Sequence, residues 1–113
     1  MEDVKDNVFL FTVDGEKRLA TKNLVPGKQV YNEKFVLSKG IEYRTWDPFR
    51  SKLAASIMND LDHFPFKEKS NVLYLGVSTG TTISHISDIV GPNGTIFGVE
   101  HSSRVARDFL DRV

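Results

Sequence analysis

The stretch VLYLGVSTGTT, Val72 to Thr82, decides how the chain is read. An apolar run of strand length breaks into glycines, small residues and hydroxyls. The run shows no polar alternation, so it reads as a strand of a parallel sheet buried on both faces. Downstream, Ile83, Ile86, Ile89 and Val90 recur at helical spacing. Gly91 to Gly94, GPNG, reads as a turn, and TIFGVE (Thr95 to Glu100) as a second strand. Ser102 or Ser103 can cap a third helix, in which Val105, Phe109 and Val113 share a face with Ala106 and Leu110. Strand, helix, strand, helix is the start of a doubly wound α/β sheet.

In such a sheet, ligands sit beyond the carboxyl ends of the strands. Gly76 to Thr82 falls there. Gly76-x-x-x-Gly80 is neither the dinucleotide fingerprint nor a P-loop, since no lysine follows the second glycine. A looser loop suits a cofactor with a ribose and an amino-acid tail. Glycine lets the backbone approach, and Thr81 and Thr82 offer hydroxyls at a helix N-terminus, where a carboxylate is favoured. Glu100 ends the second strand, where an acid can accept from ribose hydroxyls. Taken singly, the glycines fit an ordinary turn and Glu100 a solvated strand end. Together, in this order and without a phosphate motif, they point to S-adenosylmethionine.

Upstream the pattern is β. VFLFTV (Val8 to Val13) runs into Asp14-Gly15, a hairpin signal, with EKRLAT returning. Pro26-Gly27 marks another turn, and QVY, KFVLS and IEYRTW read as further strands. Residues 1–46 thus read as a small antiparallel β domain and 47–113 as the start of the α/β domain. Asp47 and Pro48 suit the N-cap and first turn of a helix carrying Phe49, Leu53, Ile57 and Leu61, ending near Phe64-Pro65. Trp46 and Phe49 are expected to bury the joint between the two parts. His63 reads as a helix-end residue, and His85 as partly exposed. KEKSN, before Val72, reads as a solvated linker.

The composition agrees with a globular domain: 113 residues, 40% hydrophobic and 27% charged. Lys and Arg number 15, as do Asp and Glu, so no basic excess binds nucleic acid unaided. Cysteine is absent, and His63, His85 and His101 lack metal-ligand spacing, so no metal site is expected. No apolar run is long enough to span a bilayer.

The segments VLYLGVSTGTTISHISDIVGPNGTIFGVEHSSRVARDFLD, ATKNLVPGKQVYNEK and GIEYRTWDPFRSKLAASI resemble the fibrillarin family in its archaeal-type form, from about Phe11 onward. The resemblance implies a small N-terminal antiparallel β domain followed by the first half of a Rossmann-like, S-adenosylmethionine-dependent methyltransferase domain. The family transfers a methyl group to ribose 2′-hydroxyls of rRNA or tRNA in box C/D guide-RNA particles, on a Nop5 or Nop56/58-type scaffold protein. By its motif, Gly76 and Gly80 form the cofactor loop, Thr81 and Thr82 meet the methionine end, and Glu100 meets the adenosine ribose. His101 takes the place beside the adenine, where the family usually has an aromatic residue. VST inside the loop also departs from the family's more usual alanine and serine. The Lys, Asp, Lys and His credited with catalysis are placed beyond Val113, so no catalytic residue is assigned within the chain. The chain thus resembles the family's N-terminal half and is expected to be inactive alone. A non-catalytic module that docks on the scaffold is the alternative. The expected location is the cytoplasm for an archaeal-type chain, or the nucleolus for a eukaryotic one.

Overall fold

The computed structural model describes residues 1–112. Val113, expected on the inner face of the last helix, lies outside the described residues. Strands β1 (Glu2–Lys5), β2 (Val8–Val13), β3 (Glu16–Lys22), β4 (Phe35–Ser38) and β5 (Ile41–Trp46) form one antiparallel sheet, in the order β1-β2-β3-β5-β4. Three tight hairpins organise it, the first closing with Lys5 opposite Val8. Val13 pairs with Glu16 and Ser38 with Ile41, and Asp14-Gly15 and Lys39-Gly40 all have positive φ. Such two-residue turns match the twist of the strands they join. The charged strand β1 was not legible, and it occupies an edge, where charge is tolerated. QVY (Gln29 to Tyr31) is not a strand. The Glu33 carboxylate takes the N–H groups of Val30 (2.9 Å) and Tyr31 (2.8 Å), so they are withdrawn from any ladder.

Helix α1 spans Lys52–Met58, shorter at both ends than the apolar spacing predicts. Asp47 accepts from the Phe49 N–H at 2.9 Å, closing a local turn, and Ser51 becomes the N-cap, accepting from the Ala54 N–H. At the other end Asp60 enters the left-handed region (φ 64) and the Leu61 N–H returns to the Ser56 carbonyl. His63 therefore lies in an exposed loop past the helix, away from its dipole. Phe49, expected at the joint, is 98% exposed, because the turn at Asp47 swings it outward. Trp46 fills the joint instead, packed with Val8, Leu19, Ala54, Ile57 and Ile89 in a core common to the sheet and both neighbouring helices. Each large aliphatic side chain buried there contributes about 1.5–3 kcal/mol. The opposite face of the sheet carries Phe11, Ala20 and Tyr43, with the Phe9 and Tyr43 rings edge to face at 5.2 Å.

The second part runs β6 (Asn71–Leu75), α2 (Thr81–Val90), β7 (Thr95–Val99) and α3 (Ser103–Arg112). β6 and β7 are parallel, in register from Asn71 opposite Thr95 to Leu75 opposite Val99. Ser102 caps α3, its hydroxyl accepting from the Val105 N–H and its carbonyl from the Ala106 N–H. Two expectations fail in this part. β6 is not buried on both faces: Leu73 and Leu75 are 66% and 71% exposed, and Phe97 and Val99 on β7 are also exposed. Only the alternate residues face the helices. His85 is fully buried rather than partly exposed, stacked on Trp46 at 4.8 Å with the rings 15° apart. It can be buried because both ring nitrogens have hydrogen-bond partners.

Candidate cofactor site

At the end of β6 the chain turns sharply. The N–H groups of Gly76 and Val77 both donate to the Val99 carbonyl, at 2.8 and 3.1 Å, stitching the loop to the end of β7. A side chain added at Gly76 would meet nothing within 4 Å, so this side of the loop is open. Ser78 sits at φ 57 and donates its N–H to Glu100 Oε1 at 2.7 Å. The other carboxylate oxygen accepts from the Ser102 N–H at 3.0 Å. The Ser102 and Ser78 N–H groups hold the Glu100 carboxyl below its ordinary value, so it stays an anion. Each of its oxygens keeps lone-pair capacity for a further donor. His101 follows, exposed.

Gly80, at φ 102, is the N-cap of α2 and gives it no side-chain cap. The first-turn N–H groups therefore lack the local acceptor that Ser, Thr, Asp or Asn would supply. The Thr82 hydroxyl is already engaged, donating to Ser51 Oγ at 2.8 Å. The Thr81 hydroxyl makes no hydrogen bond among the described residues. Gly76, Gly80, Thr81, Thr82, Glu100 and His101 thus lie along one rim, at the carboxyl ends of β6 and β7. Clefts lie elsewhere, one of about 690 Å³ between β1 and residues 62–64. Another of about 470 Å³ is on the antiparallel sheet, and one of about 340 Å³ is between α2, β7 and α3; no glycine-loop residue lines any of them.

Behind this rim is a buried polar network that the sequence reading missed. Arg44 on β5 donates Nε to Glu33 Oε2 at 2.6 Å, NH1 to Asp88 Oδ2 at 3.1 Å and NH2 to Ser84 Oγ at 2.8 Å. Thr21 on β3 donates its hydroxyl to Asp88 Oδ2 at 2.7 Å, so its oxygen accepts from His85 Nδ1 at 2.8 Å. The neutral ring then presents a bare Nε2, and Tyr31 shares its proton between that atom (2.6 Å) and the Thr45 carbonyl (3.0 Å). Burial, with the Arg44 charge adding to it, pushes His85 well below its ordinary value. Burial raises the Tyr31 hydroxyl and the Asp88 carboxyl. In Glu33, burial is outweighed by the N–H groups of Tyr31 and Val30 and by Arg44, and the net direction is downward. One sequence signal could have found the network: Ser84 and Asp88 stand four apart, on one face of a helix otherwise rich in isoleucine.

A parallel strand–helix–strand unit, with a glycine loop at the first strand end closed by an acid from the second, defines the first half of a Rossmann-like domain. Here it follows an antiparallel sheet. The Fibrillarin family model matches residues 1–113, and the chain belongs to the fibrillarin family. Fibrillarin-like rRNA/tRNA 2′-O-methyltransferases of Thermococcus sibiricus and Pyrococcus horikoshii are 59% and 54% identical over 98% and 97% of this chain, and 51% of each relative is covered. Aeropyrum pernix fibrillarin, solved with natively bound S-adenosyl-L-methionine, is similar with a TM-score of 0.90 and 50% identity over 93% of this chain and 46% of its own. A fibrillarin/Nop5p complex gives a TM-score of 0.72 at 37% identity, covering 95% of this chain and 47% of that one. The chain spans about half the length of the curated relatives it matches.

Proposed function

We propose that this chain is the cofactor-binding part of an RNA ribose 2′-O-methyltransferase that uses S-adenosylmethionine. The observation that carries the reading is the Glu100 carboxylate, anchored on Ser78 across the glycine loop and still able to accept from two vicinal hydroxyls. The group fits the residues present: the loop is open at Gly76, the α2 N-terminus has no side-chain cap, and a fixed anion stands at the strand end. When bound, S-adenosylmethionine supplies an electrophilic methyl group on a sulfonium. Glu100 would hold the ribose hydroxyls, the first turn of α2 would receive the amino-acid carboxylate, and His101 would lie against the base. The protein's contribution from this half is orientation of one reactant. The second half of the longer relatives is where the proposal places the groups that position the RNA hydroxyl and take its proton. A Nop5-type scaffold would bring guide RNA and the target rRNA or tRNA to the site, since this chain carries no net positive charge to attract them. By itself the chain would transfer no methyl group.

Titration calorimetry with S-adenosylmethionine tests the reading. Saturable binding that Glu100→Ala weakens is expected. A folded chain that binds a Nop5-type scaffold but not the cofactor would replace it with the assembly-module reading. Methyl transfer to guide-paired RNA by residues 1–113 alone would overturn the division of roles.

A further inference from the structure

The rim that carries Thr81 and Thr82 is held from outside its own helix. Gly80 supplies no side-chain cap, so locally the first turn of α2 is held by backbone bonds alone, such as the Ser84 N–H to the Gly80 carbonyl at 3.0 Å. Two contacts from the sheet side hold it further. The first begins at Glu33, whose carboxylate is pinned by the Val30 and Tyr31 N–H groups and in turn anchors Arg44, 3% exposed. Arg44 NH2 donates to Ser84 Oγ at 2.8 Å. A guanidinium can only donate, so the Ser84 oxygen must accept, and its single proton goes to the Thr81 carbonyl at 2.8 Å. The second contact is the Thr82 hydroxyl on Ser51 Oγ, at the start of α1.

The Thr81 carbonyl shares one rigid peptide plane with the Thr82 N–H. Fixing the oxygen therefore fixes the direction of that N–H, which points from the helix end toward the loop. We propose that Arg44 and Ser84 are positioning residues for the cofactor site, setting through the Thr81 carbonyl the donor that α2 presents there. This rests on the cofactor reading given above, which it deepens. An Arg44 that served only to clamp the sheet to α2 would need no more than Asp88. The extra contact to the Ser84 hydroxyl is directed at the first turn.

The test uses Ser84→Ala, which deletes only the hydroxyl, and Arg44→Lys, which keeps the charge but loses the fork that spans Ser84 and Asp88. In ¹⁵N-labelled protein without cofactor, both variants should shift the Thr82 amide resonance, while amides of β2 stay put. The effects should be non-additive in the double variant, because both act through one oxygen. Ser84→Thr, which retains a hydroxyl, should restore the Thr82 resonance. With S-adenosylmethionine, Ser84→Ala should bind about five- to tenfold more weakly than the parent. A Thr82 amide unchanged in either folded variant, or additive effects, would overturn the proposal and leave Arg44 a plain clamp. If the parent chain binds no cofactor while the Thr82 amide responds as described, the cofactor reading fails and the positioning stands.

Discussion

Glu100 and His85 show how far single residues can be read. Glu100 was legible because strand-end acids after a glycine loop are a pattern in sequence. Its N–H partners Ser78 and Ser102 were not, because they depend on where the loop folds back. Glu100→Gln keeps the shape and loses the charge. Hydrogen bonds to a charged acceptor are stronger than to a neutral one, so cofactor affinity should fall about tenfold or more by calorimetry. Unchanged affinity would remove Glu100 from the site. The carboxyl is held below its ordinary value of 4.5, so its hold on Ser78 is complete above that pH and is lost as pH falls through the lowered value. The Ser78 amide resonance should accordingly titrate with a midpoint below 4.5; a midpoint at or above it would mean that the bond to Glu100 is not made. His85 was misread because a histidine among isoleucines gives no hint of two distant hydroxyl partners on Thr21 and Tyr31. The folded chain refuses a proton that the unfolded chain binds near 6.5. Stability from this group is therefore full above that pH and falls below it, by up to about 1.4 kcal/mol per pH unit. Asp88, raised by burial, acts in the opposite sense nearer the carboxylate range. Urea unfolding at pH 7.5 and 5.5 should show the loss, and His85→Gln should flatten it.

Among the elements, those with strong local signals were legible and those decided by tertiary contacts were not. The Asp14-Gly15 hairpin, α2 and β7 follow from turn chemistry and periodicity. α1 was drawn too long because Asp47 prefers its own turn to capping a helix, and because Asp60 stops the chain before the proline. β6 looked fully buried because its apolar run carries no sign of which face is covered. The glycine loop was legible as a loop, but the contact beneath it was not. At Gly80 an added Cβ would lie 2.7 Å from the Phe109 ring, besides requiring φ 102 of an L-residue. Gly80→Ala should lower Tm by roughly 5–15 °C, the strained backbone alone costing about 1–3 kcal/mol. Adding Phe109→Leu should recover only the steric share, as calorimetry would show. A Gly80→Ala chain as stable as the parent would mean that α3 does not pack on the loop.

At the scale of the molecule, the antiparallel sheet is covered by α1 and α2, whereas β6 and β7 leave Leu73, Leu75, Phe97 and Val99 exposed in adjacent register. Two strands make a marginal sheet, and an apolar face of this kind favours association. Phe97→Lys should weaken self-association about tenfold or more by sedimentation, without loss of helical signal by circular dichroism. Equal association in the variant would locate the sticky surface elsewhere. The apolar run of β6 marks this surface in the sequence, although a strand's hydrophobicity reports that it is to be covered and not by what. The joint between the two parts offers a different kind of access. Trp46 is the sole tryptophan, and it lies flat against His85 where sheet meets helix. An imidazole stacked on indole alters its emission, and more strongly once it is protonated. The chain thus carries a built-in optical probe at its hinge line, and its ultraviolet fluorescence would record in real time whether sheet and helix remain joined, with no label attached.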